Sequence, residues 1–373
     1  MSWPIDEIGN HLLKVDTWNP SKSGQTNQFS YIDLSSVNKD QKCIDEALVP
    51  ILKPKNAPSR ARQLVNEGDV LVSTVRPNLN GVTMVPCKYH GSTASTGYSV
   101  LRANTESLDN KFLFYWVQTN AFISDMMAKA TGANYPAVSD KVIKASQIRL
   151  PPIGEQKRIA AILDKADAIR RKRKQAIQLA NDFLRSVFLD MFGDPLDPKS
   201  KVKTFPMTEL FKISTGKLNS NAAVDNGRYP FFTCAKEVFS IDDYAFDQEA
   251  LLLAGNNAQA EYDVKHYAGK FNAYQRTYVL TLKDVSNSYP FYKFALEYQL
   301  QNLKRFSKGS NTKYITMEIM ERTLLPVPAT ELQIKFVGYF KKHGELNNKY
   351  AEQLTESERN FNSISQRAFA GQL

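Results

Sequence analysis

The sequence predicts an α+β protein in which two similar mixed α/β segments are joined by two long antiparallel coiled-coil helices. Three observations predict this class: the chain repeats itself at a long period, short apolar runs alternate with aromatic helical stripes, and two stretches carry heptads. The 373 residues fit two ordinary domains with connecting helices, and 42% of them are hydrophobic. That fraction is enough to build a core in each segment.

The repeat comes from sliding the sequence against itself. Four pairs of identical residues share a single shift of 177 positions: Phe114 with Phe291, Tyr115 with Tyr292, Gly132 with Gly309, and Asn134 with Asn311. A long helical stretch closes each half, so the predicted segments are a mixed domain (1–150), a helix (151–194), a mixed domain (195–325) and a helix (326–373).

The mixed segments contain recognisable strands and helices. Glu67–Val72, Glu249–Leu253 and Tyr278–Leu280 are short apolar runs between turn formers, which is typical of buried strands. Lys111–Met127 and Pro290–Leu303 carry aromatic residues at helical spacing, which predicts helices that contribute to a core.

The first long helix is predicted from about Glu155 to Phe192, where Gly193 supplies a left-handed cap before a proline. Spacings of three and four residues give it a heptad seam: Ile159, Ile162, Ala166, Ile169, Arg173, Ala176, Ala180, Phe183 and Val187. Leu163, Ile177 and Leu184 widen this seam.

The second long helix is predicted to begin in a capping box, Thr330 to Gln333. Its seam contains several polar residues: Phe340, His343, Asn347, Tyr350, Leu354, Ser357, Phe361, Ile364 and Ala368. Two stripes of this length favour an antiparallel pair, and the alternative is that each helix packs on its own domain.

Composition favours a polyanionic partner. Lys and Arg total 48 against 38 Asp and Glu, a formal charge of +10, which puts nucleic acid first. Cys43, Cys87 and Cys234 are isolated, so neither a disulfide framework nor a metal knuckle is expected. Without an export signal or an apolar span, we expect a cytoplasmic protein.

No motif for catalysis stands out in the chain. A glycine-rich cofactor turn, the Asn/Asp-Pro-Pro-aromatic tetrapeptide of amino-methylating enzymes and the phosphate-binding loop of ATPases are all missing. Glu155 is explained by its place in the first turn of a helix. The four histidines, His11, His90, His266 and His343, lack the spacing of a metal site or triad. We therefore expect no catalytic residue, metal or cofactor on this chain.

Polar loops after the first strand of each segment are candidates for contacting bases, because Asn and Gln pair with adenine and Arg pairs with guanine. These candidates are Arg76, Asn78 and Asn80 in the first segment and Asn256, Asn257 and Gln259 in the second. The alternative is that these loops are merely solvated.

A second pair of loops, related by the repeat, combines lysines for phosphates with glycine and asparagine. The candidates are Asn134, Tyr135 and Lys141 in one half and Lys308, Ser310, Asn311, Lys313 and Tyr314 in the other. Turn formation is the alternative for the glycines and asparagines. The basic run Arg170–Lys174 lies in mid-helix, which favours a solvated or partner-facing surface and leaves DNA contact open.

With the repeat and helices established, the chain resembles the specificity subunits of type I restriction-modification systems. The strongest stretch is Thr131–Leu163, TGANYPAVSDKVIKASQIRLPPIGEQKRIAAIL, and Glu67–Asn80, EGDVLVSTVRPNLN, is also similar. In the second copy, Pro326–Gln333 departs from the Pro-Pro-x-x-Glu-Gln-Lys form.

The resemblance implies two target-recognition domains for double-stranded DNA, joined by a helical spacer. It also implies assembly with separate methyltransferase subunits and restriction motor-nuclease subunits, which would carry AdoMet, ATP and Mg. Two alternatives stay open: a DNA-modifying enzyme with its own active site, and a coiled-coil assembly protein that does not bind DNA.

Overall fold

The computed structural model describes residues 3–132, 134–197, 203–258 and 260–373. Contacts divide the chain into two units: unit 1 is Met1–Gln175 with Ala351–Leu373, and unit 2 is Ala176–Tyr350. Both boundaries fall inside the long helices, so each unit contains a segment of both helices. The predicted division into four segments stays a prediction.

Unit 1 begins with short strands and small turns of 3₁₀ helix. Its strands are β1 (Ile5–Glu7), β2 (Leu12–Leu13), β3 (Phe29–Ile32), β4 (Val37–Asn38), β5 (Cys43–Ile44), β6 (Ile51–Leu52), β7 (Ala61–Val65), β8 (Val70–Ser73), β9 (Val82–Met84), β10 (Ser92–Ser95), β11 (Tyr98–Ala103) and β12 (Gln147–Arg149). Its helices are α1 (Asn110–Trp116), α2 (Asn120–Lys129), α3 (Asp140–Lys144) and the first part of α4 (Ile153–Phe192).

Two four-stranded sheets, in the orders β6-β3-β10-β7 and β2-β11-β8-β9, form the centre of unit 1. Every residue of β8 is buried, which explains why Val70–Val72 is a continuous apolar run instead of an alternating one. In β8, Val70 and Val72 belong to the core that also contains α1, while Leu71 faces a second core around β3 and β10. The strand predicted within Glu67–Val72 is confirmed, although it begins only at Val70.

Unit 2 contains longer strands than unit 1. Its strands are β13 (Thr204–Pro206), β14 (Phe211–Thr215), β15 (Tyr229–Phe232), β16 (Phe239–Ile241), β17 (Phe246–Ala254), β18 (Asn256–Asn257), β19 (Val264–Ala273), β20 (Thr277–Leu282), β21 (Lys313–Tyr314) and β22 (Leu324–Pro326). The helices of unit 2 are α5 (Met207–Leu210), α6 (Tyr289–Phe306) and α7 (Met317–Arg322). Unit 2 also contains the last part of α4 and the first part of α8 (Thr330–Phe369).

The main sheet of unit 2 has the order β14-β20-β17-β19-β15-β16. Its core residues in β17 and β20 pack against the aromatic residues of α6, as the apolar and aromatic stripes predicted. The predicted strands at Glu249–Leu253 and Tyr278–Leu280 are thus confirmed within β17 and β20.

Within each unit the segments of α4 and α8 pair in antiparallel directions, which confirms the predicted pairing. In unit 1, the Arg170 guanidinium lies 4.4 Å from the centroid of the Phe361 ring, and Lys174 Nζ lies 3.4 Å from a carboxylate oxygen of Glu358. Residue numbers therefore increase along α4 as they decrease along α8.

In unit 2, the Nδ2 amide of Asn347 donates to Oδ1 of Asn181 at 2.8 Å, and the rings of Phe188 and Phe336 lie 5.4 Å apart. The order is again antiparallel. The polar residues of the second seam are therefore part of this contact, since His343 Nε2 also lies 3.0 Å from Asn181 Oδ1.

Each helix also packs on its own unit, which was the alternative to pairing. In unit 1 the Tyr115 hydroxyl donates to Asp164 of α4 at 2.7 Å. This packing explains why the simple heptad seam is wrong at Ile169 and Phe183, whose side chains are 52% and 65% exposed. Leu163 and Leu184, which widen the predicted seam, are buried in the cores that contain α1 and α6, and Phe188 joins Leu184 in the second of these cores.

Two further sequence predictions need correction. The helix predicted over Lys111–Met127 is two helices, because Thr119 leaves the helical conformation and its hydroxyl accepts from Phe122 N to begin α2. The capping box at Thr330 is also wrong: Gln333 Oε1 does not accept from the backbone N–H of Thr330, and Gln333 Nε2 donates to Pro328 O at 3.0 Å. Its Oε1 accepts from Ser288 N at 3.0 Å instead.

Gln333 and its counterpart Gln156 are anchors between each long helix and the start of α6 or α1. Gln156 Oε1 accepts from Asp109 N at 2.9 Å, and its Nε2 donates to the carbonyl oxygens of Ser107 and Pro151, each at 2.9 Å. Both glutamines are 1% exposed, and they are 177 positions apart. The repeat therefore extends to buried polar contacts.

Candidate nucleic-acid interface

The two predicted loop sets lie together in each unit. We call residues 74–81 with 131–137 loop pair 1, and residues 255–258 with 308–314 loop pair 2. Thr131 and Ala137 exchange two backbone hydrogen bonds of 2.9 Å, and Lys308 and Tyr314 exchange two of 3.1 and 2.9 Å. Since these partners are again 177 positions apart, the same loop is built twice.

The contacts that follow each loop are repeated as well. Val138 N donates to Thr74 O at 2.9 Å, and Ile315 N donates to Gly255 O at 2.8 Å. One residue further on, the Ser139 hydroxyl caps α3 and the Thr316 hydroxyl caps α7. These bonds bring the loop after β8, or after β17, against the second loop of the same unit.

The backbone conformation of both second loops requires glycine, so Gly132 and Gly309 have the turn-forming role that was the alternative to DNA contact. Gly132 has φ of +95° and Gly309 has φ of +103°. A Cβ atom on Gly309 would lie 2.1 Å from the carbonyl oxygen of Thr312. Asn134 and Asn311, two residues further on, are exposed in both copies.

In loop pair 1, Arg76 and Tyr135 form the most prominent exposed feature. The Arg76 guanidinium lies 4.6 Å from the centroid of the Tyr135 ring, and Arg76 N donates to Pro136 O at 2.7 Å. Arg76 has φ of +50°, a left-handed conformation that is uncommon for this residue type. Tyr135 is 67% exposed. A cation and an aromatic face are therefore presented together on this surface.

Asn80 is occupied by contacts inside unit 1. Its Nδ2 donates to Val117 O at 3.0 Å, while its Oδ1 and backbone oxygen accept from Lys42 Nζ at 2.9 and 2.6 Å. Burial lowers the pKa of Lys42 to about 8, Asp40 opposes this, and the charges of Arg170 and Lys174 add to it. The structure therefore gives Asn80 a role in fixing the turn.

Three other candidates in unit 1 have exposed side chains. Asn78 lies on the short 3₁₀ turn Pro77–Leu79 of the first loop, and Asn134 lies in the second loop. Lys141 lies on α3, next to the second loop in sequence but outside loop pair 1.

In loop pair 2, β18 and β21 pair in antiparallel fashion, with Asn256 opposite Tyr314 and Asn257 opposite Lys313. Sequence reasoning had assigned these residues to separate loops, and the ladder brings them into contact. Asn257 Oδ1 also accepts from Glu261 N at 3.3 Å. Gln259 lies outside the described residues.

The basic candidates of this loop pair are not equivalent. Lys308 Nζ lies 2.7 Å from a carboxylate oxygen of Glu318, which also pairs with Arg322. Lys308 is thus partly neutralised within unit 2. Ser310 and Asn311 are exposed at the tip of the loop, and Lys313 is half-buried in β21.

A polar cleft of about 520 Å³ lies beside loop pair 2. Its lining includes Asn256, Gln275, Arg276, Tyr278 and Tyr314. Burial raises the pKa of the Tyr278 hydroxyl above its usual range, and the nearby Arg276 charge opposes that rise. The Tyr278 hydroxyl donates to Ile315 O at 2.9 Å, which ties the cleft wall to loop pair 2.

Sequence reasoning missed Gln275 and Arg276. They occupy the turn between β19 and β20, and both are exposed. The sequence shows two polar residues shortly before the predicted strand Tyr278–Leu280, whereas the predicted base-contacting loops follow their strands.

The remaining candidates lie apart from these surfaces. In the basic run of α4, Arg170 and Arg171 both pair with the buried carboxylate of Asp167, and Lys174 pairs with Glu358. Across the described ranges, no group of three or more Asp, Glu, His or Cys side chains could hold a metal ion. None of the helices in that part of the chain combines the length and apolar character that crossing a bilayer requires.

The sequence pattern of the family described as type I restriction modification DNA specificity domain matches residues 17–179 and again residues 199–356. The chain is 45% identical over 113 residues to the type I restriction enzyme EcoDI specificity subunit of Escherichia coli, covering 30% of this chain and 24% of that protein. It is 21% identical over 338 residues to the MjaVIII specificity subunit of Methanocaldococcus jannaschii, covering 79% and 77%. The EcoDI match thus spans about a quarter of that relative's length.

Two solved structures share the fold. One chain, from a study of complex assembly and conformational transition of the type I R-M system, has a TM-score of 0.59 at 23% identity and covers 100% of this chain and 98% of its own. The type I restriction-modification S subunit from M. genitalium has a TM-score of 0.56 at 14% identity, covering 98% and 96%. The predicted fold class is confirmed. Because the family pattern matches two segments that together span most of the chain, this protein belongs to the family of type I restriction modification DNA specificity domain proteins.

Proposed function

We propose that this chain recognises a two-part target in double-stranded DNA, with loop pair 1 contacting one half of the target and loop pair 2 contacting the other. The observation that carries this proposal is the duplicated loop architecture: one set of backbone hydrogen bonds, repeated at a shift of 177 positions, presents different exposed side chains in the two units. A backbone frame that is repeated with different side chains suits the recognition of two different half-sites.

The side chains on these loops suit base edges and phosphates. Arg76 can donate two parallel hydrogen bonds to a guanine, and Asn134 and Asn256 can pair with adenine in the major groove. Lys313 and Lys141 are suited to phosphates, which fix the position of a protein on the duplex without reporting sequence. The formal charge of +10 supports binding to this polyanion.

The second part of the proposal concerns partners. The relatives are named as specificity subunits of type I restriction enzymes, which supports assembly of this chain with separate methyltransferase and restriction motor-nuclease subunits. AdoMet, ATP and Mg would be bound by those subunits. This chain would act in the cytoplasm of a prokaryote as a non-catalytic recognition subunit.

The test is selection of preferred sites from a randomised double-stranded DNA pool by the purified chain. The expected result is a sequence with two defined halves separated by an undefined gap, and an affinity that falls steeply with salt because phosphate contacts release counterions. Absence of any enriched sequence, or an affinity independent of salt, would contradict the proposal.

The non-catalytic role is tested separately with labelled AdoMet. The chain alone should transfer no methyl group to the selected DNA, and transfer should require the separate methyltransferase subunit. Methylation by this chain without partners would instead support a DNA-modifying enzyme with its own active site.

A further inference from the structure

The turns that precede β11 and β20 are structurally equivalent and carry different residues. Thr74 N donates to Gly97 O at 2.9 Å in unit 1, and Gly255 N donates to Arg276 O at 2.9 Å in unit 2. Thr74 and Gly255 are themselves equivalent, because each accepts from the residue after its second loop. Arg276 therefore occupies the position that Gly97 has in unit 1.

In unit 1 this position is covered by a leucine. A Cβ atom on Gly97 would lie 3.0 Å from Cδ1 of Leu34. The Tyr98 hydroxyl also donates to Asp33 O at 3.2 Å, which holds the segment before Leu34 against the turn. The cavity at this place, lined by Leu34, Tyr98 and Arg76 among others, is only about 70 Å³.

In unit 2 a smaller residue occupies the position that corresponds to Leu34. The parallel ladders pair Ala94 with Ile32 and Ala273 with Phe232, so the residue two positions later is Leu34 in unit 1 and Cys234 in unit 2. The Cys234 thiol lies 3.3 Å from Arg276 O. Arg276 itself lines the polar cleft of about 520 Å³ beside loop pair 2.

The Arg276 side chain is available for a ligand. It is exposed, and no carboxylate among the described residues forms an ion pair with it. It lines the cleft together with Asn256 and Tyr314 of loop pair 2. Its neighbour Gln275 donates to Asn219 Oδ1 at 2.7 Å, which helps to fix the turn.

From this geometry we propose that Arg276 is a specificity-determining residue of unit 2, which contacts the O6 and N7 atoms of one guanine in the half-site that loop pair 2 recognises. A guanidinium matches this acceptor pair with two parallel hydrogen bonds, which an ammonium cannot reproduce. Unit 1 has glycine at this position and uses Arg76, on the neighbouring loop, instead. The inference rests on the proposed function, since it names one contact of that recognition.

The test begins with the two-part sequence that the unaltered chain selects. If the unaltered chain selects no sequence, the proposed function itself is contradicted, and this result is distinct from a failure of the Arg276 inference. Given a selected sequence, Arg276→Ala should remove the preference for one guanine in a single half-site, a loss of about 5- to 150-fold in discrimination. Arg228→Ala, which removes an exposed arginine of unit 2 outside the cleft, is the matched control and should leave every base preference unchanged.

Two further measurements separate base contact from phosphate contact. Replacing that guanine with 7-deazaguanine, which lacks the N7 acceptor, should weaken binding of the unaltered chain and have no additional effect on the Arg276→Ala variant. Arg276→Lys keeps the charge without the planar guanidinium and should lower the discrimination. The inference is overturned if Arg276→Ala lowers the affinity for all sequences equally and reduces the salt slope by about 0.9, because that pattern identifies a phosphate contact.

Discussion

The buried glutamines Gln156 and Gln333 give the clearest quantitative prediction about the fold. Gln156→Leu keeps roughly the same volume and removes three hydrogen bonds: one from Asp109 N and two to the carbonyl oxygens of Ser107 and Pro151. A buried polar group that loses its partner costs about 1–3 kcal/mol. A buried carbonyl oxygen tolerates the loss of a hydrogen-bond partner better than a buried N–H group does. We therefore expect the variant to destabilise unit 1 by about 3–5 kcal/mol in total.

Hydrogen exchange measured by mass spectrometry can localise this loss. A destabilisation of 3 kcal/mol corresponds to about 150-fold faster exchange. We expect such acceleration in α1 of the Gln156→Leu variant, with α6 of unit 2 unchanged. Gln333→Leu should produce the converse pattern, because Gln333 accepts from Ser288 N at the start of α6.

The exposed neighbour of Gln156 provides the control. Lys157→Ala removes a solvated side chain from the same helical turn and should change stability by no more than about 0.5 kcal/mol. The reasoning is refuted if Gln156→Leu and Lys157→Ala have equal effects, or if Gln156→Leu accelerates exchange equally in α1 and α6.

Three more outcomes follow from the loop contacts. Burial lowers the pKa of Lys42 to about 8 when folded, against 10.5 otherwise, so the unfolded chain binds more protons between these values and stability should rise with pH across that window. Discounted for partial exposure, the rise is about 1 kcal/mol in urea denaturation, and Lys42→Met should abolish it. Lys313→Ala should weaken binding to all DNA sequences in salt titrations more than Lys308→Ala does, because Glu318 already neutralises Lys308; equal losses would contradict this. Tyr135→Ala should reduce base preference in one half-site by about 2- to 5-fold in competition binding, and Tyr135→Phe, which keeps the ring, should not.

Local signals in the sequence predicted the long helices well. Gly193 has φ of +68° and ends α4 where the glycine and following proline predicted. The 177-residue shift, first seen in a few identities, recurs in backbone hydrogen bonds, helix caps and buried glutamines. Helix ends and caps depend on residues close in sequence, so a pattern can predict them.

Contacts between distant residues were not predictable in the same way. Asn80 is a good turn residue by type, but its bonds to Lys42 and Val117 depend on the fold of the whole unit. Gln333 fits a capping box locally, and the contact with Ser288 replaces that local bond. Arg276 was missed because its equivalence to Gly97 emerges only from the strand pairing.

The candidate site was therefore predicted in outline. The sequence identified the loops and most of their exposed polar residues. The pairing of β18 with β21, which brings Asn256 and Lys313 into one surface, required the structure. The roles of the individual residues in DNA contact stay predictions.

The central claim, that each unit recognises its own half of the target, is tested most directly by repeating the DNA selection with one altered loop pair at a time. The first variant carries Asn134→Ala and Tyr135→Ala in loop pair 1, and the second carries Asn256→Ala and Asn257→Ala in loop pair 2. Each variant should change the base preferences of a single half-site, a different one in each case, and leave the other half-site as it was. If either variant alters both half-sites to the same degree, the two units do not recognise DNA separately and the account is wrong.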